Sequence, residues 1–278
     1  MLRNSHGAVG VTLLVCFPIF IAGCALFAGS SIMSYEEYSQ LDISTPYLLE
    51  LQSGSGRLLY FGVEHTAYPE HPQLAQLEKL WEDFQPAVAF SEGGVWPLLE
   101  TREAAICRCG EGGLLRFLAE RDSIPIFSLE PSSAAEIARL RRSFSPECIK
   151  TYYILRQVTQ WRRQQSDEPL EEYTQKVMDK LSATPGLAGP PRRPEELEES
   201  CRRYLPELDD WRHVPADWFY PTKTGTLMNQ IARRCNRIRD EHMVKLLTAE
   251  VKRGRRVFAV VGFSHVVMQE RALRNALK

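Results

Sequence analysis

The sequence carries no surplus of charge: 34 lysines and arginines stand against 35 aspartates and glutamates in 278 residues, a formal net charge of -1. Phosphate contacts demand clustered basic charge, so no nucleic-acid partner is expected. Glycine and proline, 17 of each, are too few for a collagenous or low-complexity chain. Only one apolar run is long enough to meet a bilayer, which excludes multi-span membrane classes. The two-residue cysteine spacing of zinc knuckles and thioredoxin motifs is missing as well, because a single residue separates Cys107 from Cys109. What is left is ordinary globular composition, 44% hydrophobic and 25% charged. Function has to be read from local sites.

The one long apolar run lies at the start. Residues 1–7 carry Arg3 and no acid, and 8–28 contain no charge, the pattern of an export signal or a membrane anchor. Within it, Ile21-Ala22-Gly23-Cys24 is similar to the lipobox of bacterial lipoproteins, in which the cysteine is acylated after cleavage. The expected organisation is a signal peptide over 1–23, a tether over 24–45 and one domain over 46–278. An uncleaved helix is the alternative. Either places the domain outside the cytoplasm, at the cell membrane and facing periplasm or exterior, with the lipid membrane as partner through Cys24 or through the helix. Cys107, Cys109, Cys148, Cys201 and Cys235 then sit in a compartment that permits disulfides, and one or two structural bridges are expected.

Four short apolar runs read as strands covered on both faces: residues 57–63, 87–91, 124–129 and 257–263. Between the first two, Leu74, Leu77, Trp81 and Phe84 recur at helical spacing over 72–84, completing a βαβ unit. A helix over 113–121 precedes the third run. The fold class expected is α/β, a mostly parallel central sheet flanked by helices, with a helical insertion over about 140–225 before the last strand. In the insertion, Ser145-Pro146 opens a helix to about Gln164, while 184–194, rich in proline and glycine, cannot be helical. A long helix over 225–253 returns the chain to the final strand.

Chemistry-bearing residues fall at the strand ends. Gly62-Val63-Glu64-His65 follows the first strand and Gly262-Phe263-Ser264-His265 closes the last, and ligands of open α/β sheets bind at that edge. With 17 Gly and 6 His in the chain, G-x-x-H arises by chance about 0.4 times, so two copies, each directly after an apolar run, form a pattern. The expectation for the glycines is a sharp turn that presents the imidazole. Glu92 ends the second strand and Glu130 the third. Two histidines with one or two carboxylates make an ordinary ligand set for a divalent cation. Taken singly, each glutamate has a cap or salt-bridge reading as well, a stronger one for Glu130 than for Glu92.

On the long helix, Met228, Ile231, Cys235, Ile238, His242 and Leu246 fall on one face with Arg239 among them. A guanidinium there needs an anionic partner, Glu92, Glu130 or a substrate oxyanion, unless it snorkels to water. His242 reads as a core histidine and His71 as a loop residue, while Glu64 and Ser264 are supporting candidates. Tyr152, Tyr153, Leu155 and Trp161 read as core.

The paired G-x-x-H motifs at His65 and His265, the Glu92-Gly93-Gly94 after the second strand and the Arg239 helix before the last strand resemble the Tiki/TraB family and its erythromycin-esterase and ChaN-like relatives. The resemblance covers 57–130 and 225–270. It implies an α/β fold with the site on one sheet edge. Tiki members are divalent-metal-dependent peptidases, erythromycin-esterase relatives hydrolyse a lactone ester with His and Glu, and ChaN-like lipoproteins bind haem. By that resemblance His65 and His265 are metal ligands, or one a ligand and one a base. Glu92 becomes a ligand or general base, and Arg239 the family's helical arginine. Val63-Glu64 departs from the small or hydroxyl residues common before the first histidine of Tiki motifs.

The function expected is a membrane-anchored hydrolase of a peptide or ester substrate, with Mn, Co or Zn between His65, His265 and Glu92. Glu92 or Glu130 would take a proton from the bound water, and Arg239 would face the oxyanion. A haem- or metal-binding lipoprotein without turnover, with Tyr152 or Tyr153 as an axial ligand, is the alternative. An inactive structural domain is a third.

Overall fold

The computed structural model describes residues 32–94, 96–165 and 167–278; the signal-type segment 1–23 and Cys24 lie outside them. In chain order the elements are α1 (Tyr35–Tyr38), β1 (Tyr47–Ser53), β2 (Gly56–Val63), α2 (Pro72–Phe84), β3 (Val88–Ser91), α3 (Arg102–Arg121) and β4 (Ile126–Ser128). Next come α4 (Ser133–Leu140), α5 (Pro146–Gln164), α6 (Leu170–Ser182), α7 (Pro194–Tyr204) and two short 3-10 turns. Helix α8 (Leu227–Lys252), β5 (Arg256–Gly262) and α9 (Phe263–Ala276) complete the chain.

The fold is α/β, as expected. Five strands lie in the order β1-β2-β5-β3-β4, parallel except for β1, which forms an antiparallel hairpin with β2. The last strand therefore enters between the first βαβ pair. Strand β1 has no counterpart in the sequence reading, and neither do α1 and α9; β1 is an edge strand whose burial alternates.

Two faces explain the continuous apolar runs. Leu59, Phe61 and Val63 of β2 and Phe258 and Val260 of β5 pack under α2 and α3 with Leu74, Leu77, Trp81 and Leu114. Leu58, Tyr60, Val257, Ala259 and Val261 face the other way, onto Met243, Leu247 and Val251 of α8 and Val266 and Leu273 of α9. Each such side chain, fully buried, contributes about 1.5–3 kcal/mol. The insertion has a separate core, in which Ile149, Tyr152, Leu155, Met178, Leu197 and Trp211 meet Met228, Ile231, Cys235 and Ile238 of α8.

Helix α8 thus serves two cores, the insertion with its first half and the sheet with its second. The buried stripe does not run on through His242 and Leu246, which are half-exposed, but passes to Asp240, Met243, Leu247 and Val251. Arg239 and Asp240 stand at the changeover.

Two further expectations are corrected. Part of the segment read as a tether is packed: Ile32 is buried against Met268 and Ala272 of α9, Met33 N–H donates to the Met268 carbonyl, and Arg237 donates to the Ile32 carbonyl. No disulfide joins the cysteines at 107, 109, 148, 201 and 235, all of which are free. Cys107 and Cys109, two apart on one helix, point to different faces and cannot meet. Cys148, Cys201 and Cys235 are separately buried in the insertion core.

Candidate active site

The C-terminal ends of the parallel strands meet below the insertion and enclose an open cleft of about 980 Å³. His65, Glu92, Glu130 and Arg239 all line it. His265 sits behind them on the first turn of α9, buried.

Glu92 is the hub. One carboxylate oxygen accepts from Arg239 at 2.7 Å and the other from the Gly262 N–H at 2.7 Å. His65 Nε2 lies 3.9 Å from it and His265 Nε2 3.6 Å. Burial works against the charged form of Glu92, and His265, Arg239 and the Gly262 N–H outweigh it, holding the carboxyl well below the usual range. A carboxylate held ionised in this way is a weak proton acceptor.

Arg239 uses its donors on the protein. Nε donates to Glu130 at 2.6 Å, one terminal nitrogen to Glu92 and Glu130, and the other to Asn236 at 3.0 Å. It bridges the two glutamates, one of the partnerships the sequence suggested. With four of its five N–H donors used in this way, Arg239 holds the carboxylates in place. Glu130 is fixed further by Gly93 N–H at 3.3 Å, and Ser128 donates to the Gly93 carbonyl while accepting from Glu130 N–H, tying β4 to β3.

Each histidine is oriented by an acid that sequence reasoning missed. His65 Nδ1 lies 2.5 Å from Glu111, and that contact is the main cause of its raised pKa. Glu111 arrives because α3 starts eleven residues before the expected point and breaks at Gly110, whose φ of 58° is left-handed. A Cβ at Gly110 would come within 2.7 Å of the Thr66 carbonyl, so the break packs directly against the loop after His65. The available signal was the Gly110-Glu111-Gly112-Gly113 run.

His265 Nδ1 lies 2.6 Å from Asp240, which is 1% exposed. Gln269 also donates to Asp240, at 2.7 Å, and the Tyr60 hydroxyl donates to Gln269 at 3.0 Å. The other Asp240 oxygen is buried without a hydrogen-bond partner among the described residues, so its charge is answered chiefly by the imidazole. Burial opposes protonation of His265, but Asp240 and Glu92 overcome it and push the pKa up to about 10. His265 is an imidazolium at neutral pH, with its remaining N–H toward Glu92.

The motif glycines work differently from the expectation. Neither adopts a left-handed conformation, and Gly262 has φ of -54°. Both permit close approach, and they do so across motifs: a Cβ on Gly62 would lie 2.7 Å from Phe263 Cα, while Gly262 makes room for His65.

Other expected residues are not in the site. Glu64 has an exposed carboxylate outside the cleft; only its backbone matters, held at both N–H and carbonyl by the buried side chain of Gln73. His71 caps α2 by accepting from Gln73 N–H, and Ser264 does not line the cleft. Tyr152 and Tyr153 border the cleft, but Tyr152 is core and the Tyr153 hydroxyl is given to Glu136.

A resident divalent cation fits this donor set poorly. Among the described residues no group of three or more His, Cys, Asp or Glu is placed to hold a metal ion. Both Glu92 oxygens are already engaged, and a guanidinium occupies the position beside it. No helix among the described residues is long and apolar enough to cross a membrane. No protein-family model matches the chain, and no curated protein matches it.

Proposed function

We propose that the cleft is the active site of a hydrolase that cleaves an ester or amide with His65 as general base and His265 as the cationic partner of the developing oxyanion. The observation that carries this reading is the matched orientation of the two imidazoles. Each binds an acid through Nδ1 and turns Nε2 toward Glu92, His65 from the cleft and His265 from its buried place behind it.

With Glu111 accepting at Nδ1, His65 Nε2 is the proton acceptor. A water held there loses a proton to Nε2 as its oxygen bonds to the substrate carbonyl carbon. The oxyanion that forms is stabilised through the field of the His265 imidazolium, a preorganised positive charge fixed behind the cleft wall and not in contact with the substrate. The carbon–oxygen or carbon–nitrogen bond then breaks, and the leaving group takes the proton stored on His65. Glu92, Glu130 and Arg239 form the rigid base on which both imidazoles are set.

The reading includes attachment outside the cytoplasm through acylated Cys24, supported by the Ile21-Ala22-Gly23-Cys24 sequence. Ile32, eight residues after Cys24, is packed against α9. Mass spectrometry of membrane-extracted protein should find acyl chains on Cys24, and C24S should release the protein.

Soluble protein starting after Cys24 should hydrolyse members of a p-nitrophenyl ester and peptide-anilide panel. H65A should lose about 100-fold or more in kcat/KM with unchanged thermal unfolding. A chelator should leave the rate intact. Loss with chelator and recovery with Mn or Zn would replace this chemistry by a metal-dependent one, and an inert panel would refute hydrolysis.

A further inference from the structure

The cleft has two unlike ends. Its acids are committed: Arg239 holds Glu92 and Glu130, His65 holds Glu111, and Glu136 accepts the Tyr153 hydroxyl. The opposite wall, built by α5 and α6 of the insertion, contributes Arg156, Gln157, Gln160, Gln164 and Lys180 and no carboxylate. Arg156 and Lys180 are exposed, and neither forms an ion pair among the described residues. Arg108, on the lip beside Glu111, is likewise exposed and without an ion pair.

A lone surface lysine is a solvated charge and needs no explanation. Here a guanidinium and an ammonium from adjacent helices share one concave wall, interleaved with neutral amides and facing a site that handles a carbonyl. No acid forms an ion pair with either among the described residues, although the Glu136 carboxylate, whose neutral Tyr153 donor leaves its charge in place, lines the same cleft. Guanidinium and ammonium groups recognise oxyanions by charge-assisted hydrogen bonds, and neighbouring glutamines add neutral donors.

We propose that Arg156 and Lys180 bind an oxyanion of the substrate, a carboxylate or phosphate lying beyond the bond that is cut, with the glutamines along the chain between. This rests on the hydrolase reading for which bond is broken, whereas the binding of the anion stands apart from it. The insertion is then the specificity element, and the substrates are acidic esters or amides.

Two measurements separate these claims. In the first, p-nitrophenyl hemiglutarate is compared with the neutral p-nitrophenyl butyrate. The wild type should favour the charged ester by about tenfold or more in KM, the scale of a charge-assisted contact. R156Q/K180Q should bring the two esters to near parity, and R156E/K180E should reverse the preference. Equal KM values in the wild type, or a preference untouched by both variants, would overturn the proposal.

In the second, glutarate and inorganic phosphate are titrated calorimetrically into wild type and R156Q/K180Q. Binding of either that is lost in the variant supports the anchor and identifies the oxyanion, even if no ester is hydrolysed. Failure of both anions to bind, or equal binding to the variant, would overturn it. Both side chains are exposed, so matching thermal unfolding curves are expected for all three proteins.

Discussion

Gly262 stands so close to His65 that a Cβ on the glycine would lie 3.1 Å from the imidazole Nε2 and 3.4 Å from Glu92 Oε2. The reciprocal pair, Gly62 and Phe263, is tighter and involves backbone on both sides. Val63 pairs with Gly262 across β2 and β5, so the two G-x-x-H motifs are interlocked as neighbours in the sheet.

That difference predicts opposite outcomes for two equal-looking substitutions. In G262A the methyl meets the end of a side chain that can shift, so thermal stability should be nearly kept while hydrolysis falls. In G62A it meets the Phe263 Cα, which cannot yield without moving α9, and overpacking of this kind costs about 1–3 kcal/mol. Urea unfolding and ester turnover measured on both variants check the pair. Equal stability loss in both would mean that the glycines serve only the fold.

Arg239 carries a second prediction. Its side chain is 15% exposed and separates two carboxylates. R239M leaves Glu92 and Glu130 without their shared cation, which should cost about 3 kcal/mol in urea unfolding at pH 7. The loss should shrink at low pH as Glu92 protonates. A stability equal to wild type at pH 7 would contradict the bridging role.

Glu241 supplies the pH dependence outside the site. It joins α4 and α8 by accepting from Arg139, and it accepts from Arg237 on its own helix. Burial opposes its charged form, but the two arginines prevail and hold its pKa below the ordinary 4.5. A depressed folded-state pKa stabilises above the unfolded value and is lost as pH falls through the folded one. E241Q should therefore lower the melting temperature at pH 6 and flatten its decline below pH 4.5. Parallel curves for wild type and variant would remove Glu241 from the acid response.

Much of the α/β frame was legible because buried strands and α2 announce themselves by uninterrupted or periodic apolar residues. The hydrophobic pattern could not show charged residues that are buried in pairs. Asp240 follows Arg239 and looks like an exposed acid, yet it is buried beneath His265. Glu111 lay outside the expected helix because Gly110 interrupts a pattern that resumes on a new axis. The face drawn along α8 failed after Ile238, where the helix leaves one core for the other and its buried stripe turns with it. Strand β1 was missed because a short alternating edge segment is hard to distinguish from a linker. His65, Glu92, Glu130 and His265 were found because strand ends converge on one edge whatever lies between them, and Arg239 because a guanidinium among apolar positions of a helix needs an anionic partner.

The central claim, that His65 is a general base held by Glu111, is tested most directly by the pH dependence of kcat/KM for wild type and E111Q on the same ester. Glu111 raises the His65 pKa, and a base works only when unprotonated, so wild-type activity should fall with acid along a limb lying above pH 6.5. In E111Q that limb should move to lower pH while the maximal rate drops. An acid limb in the same place in both proteins would contradict the account.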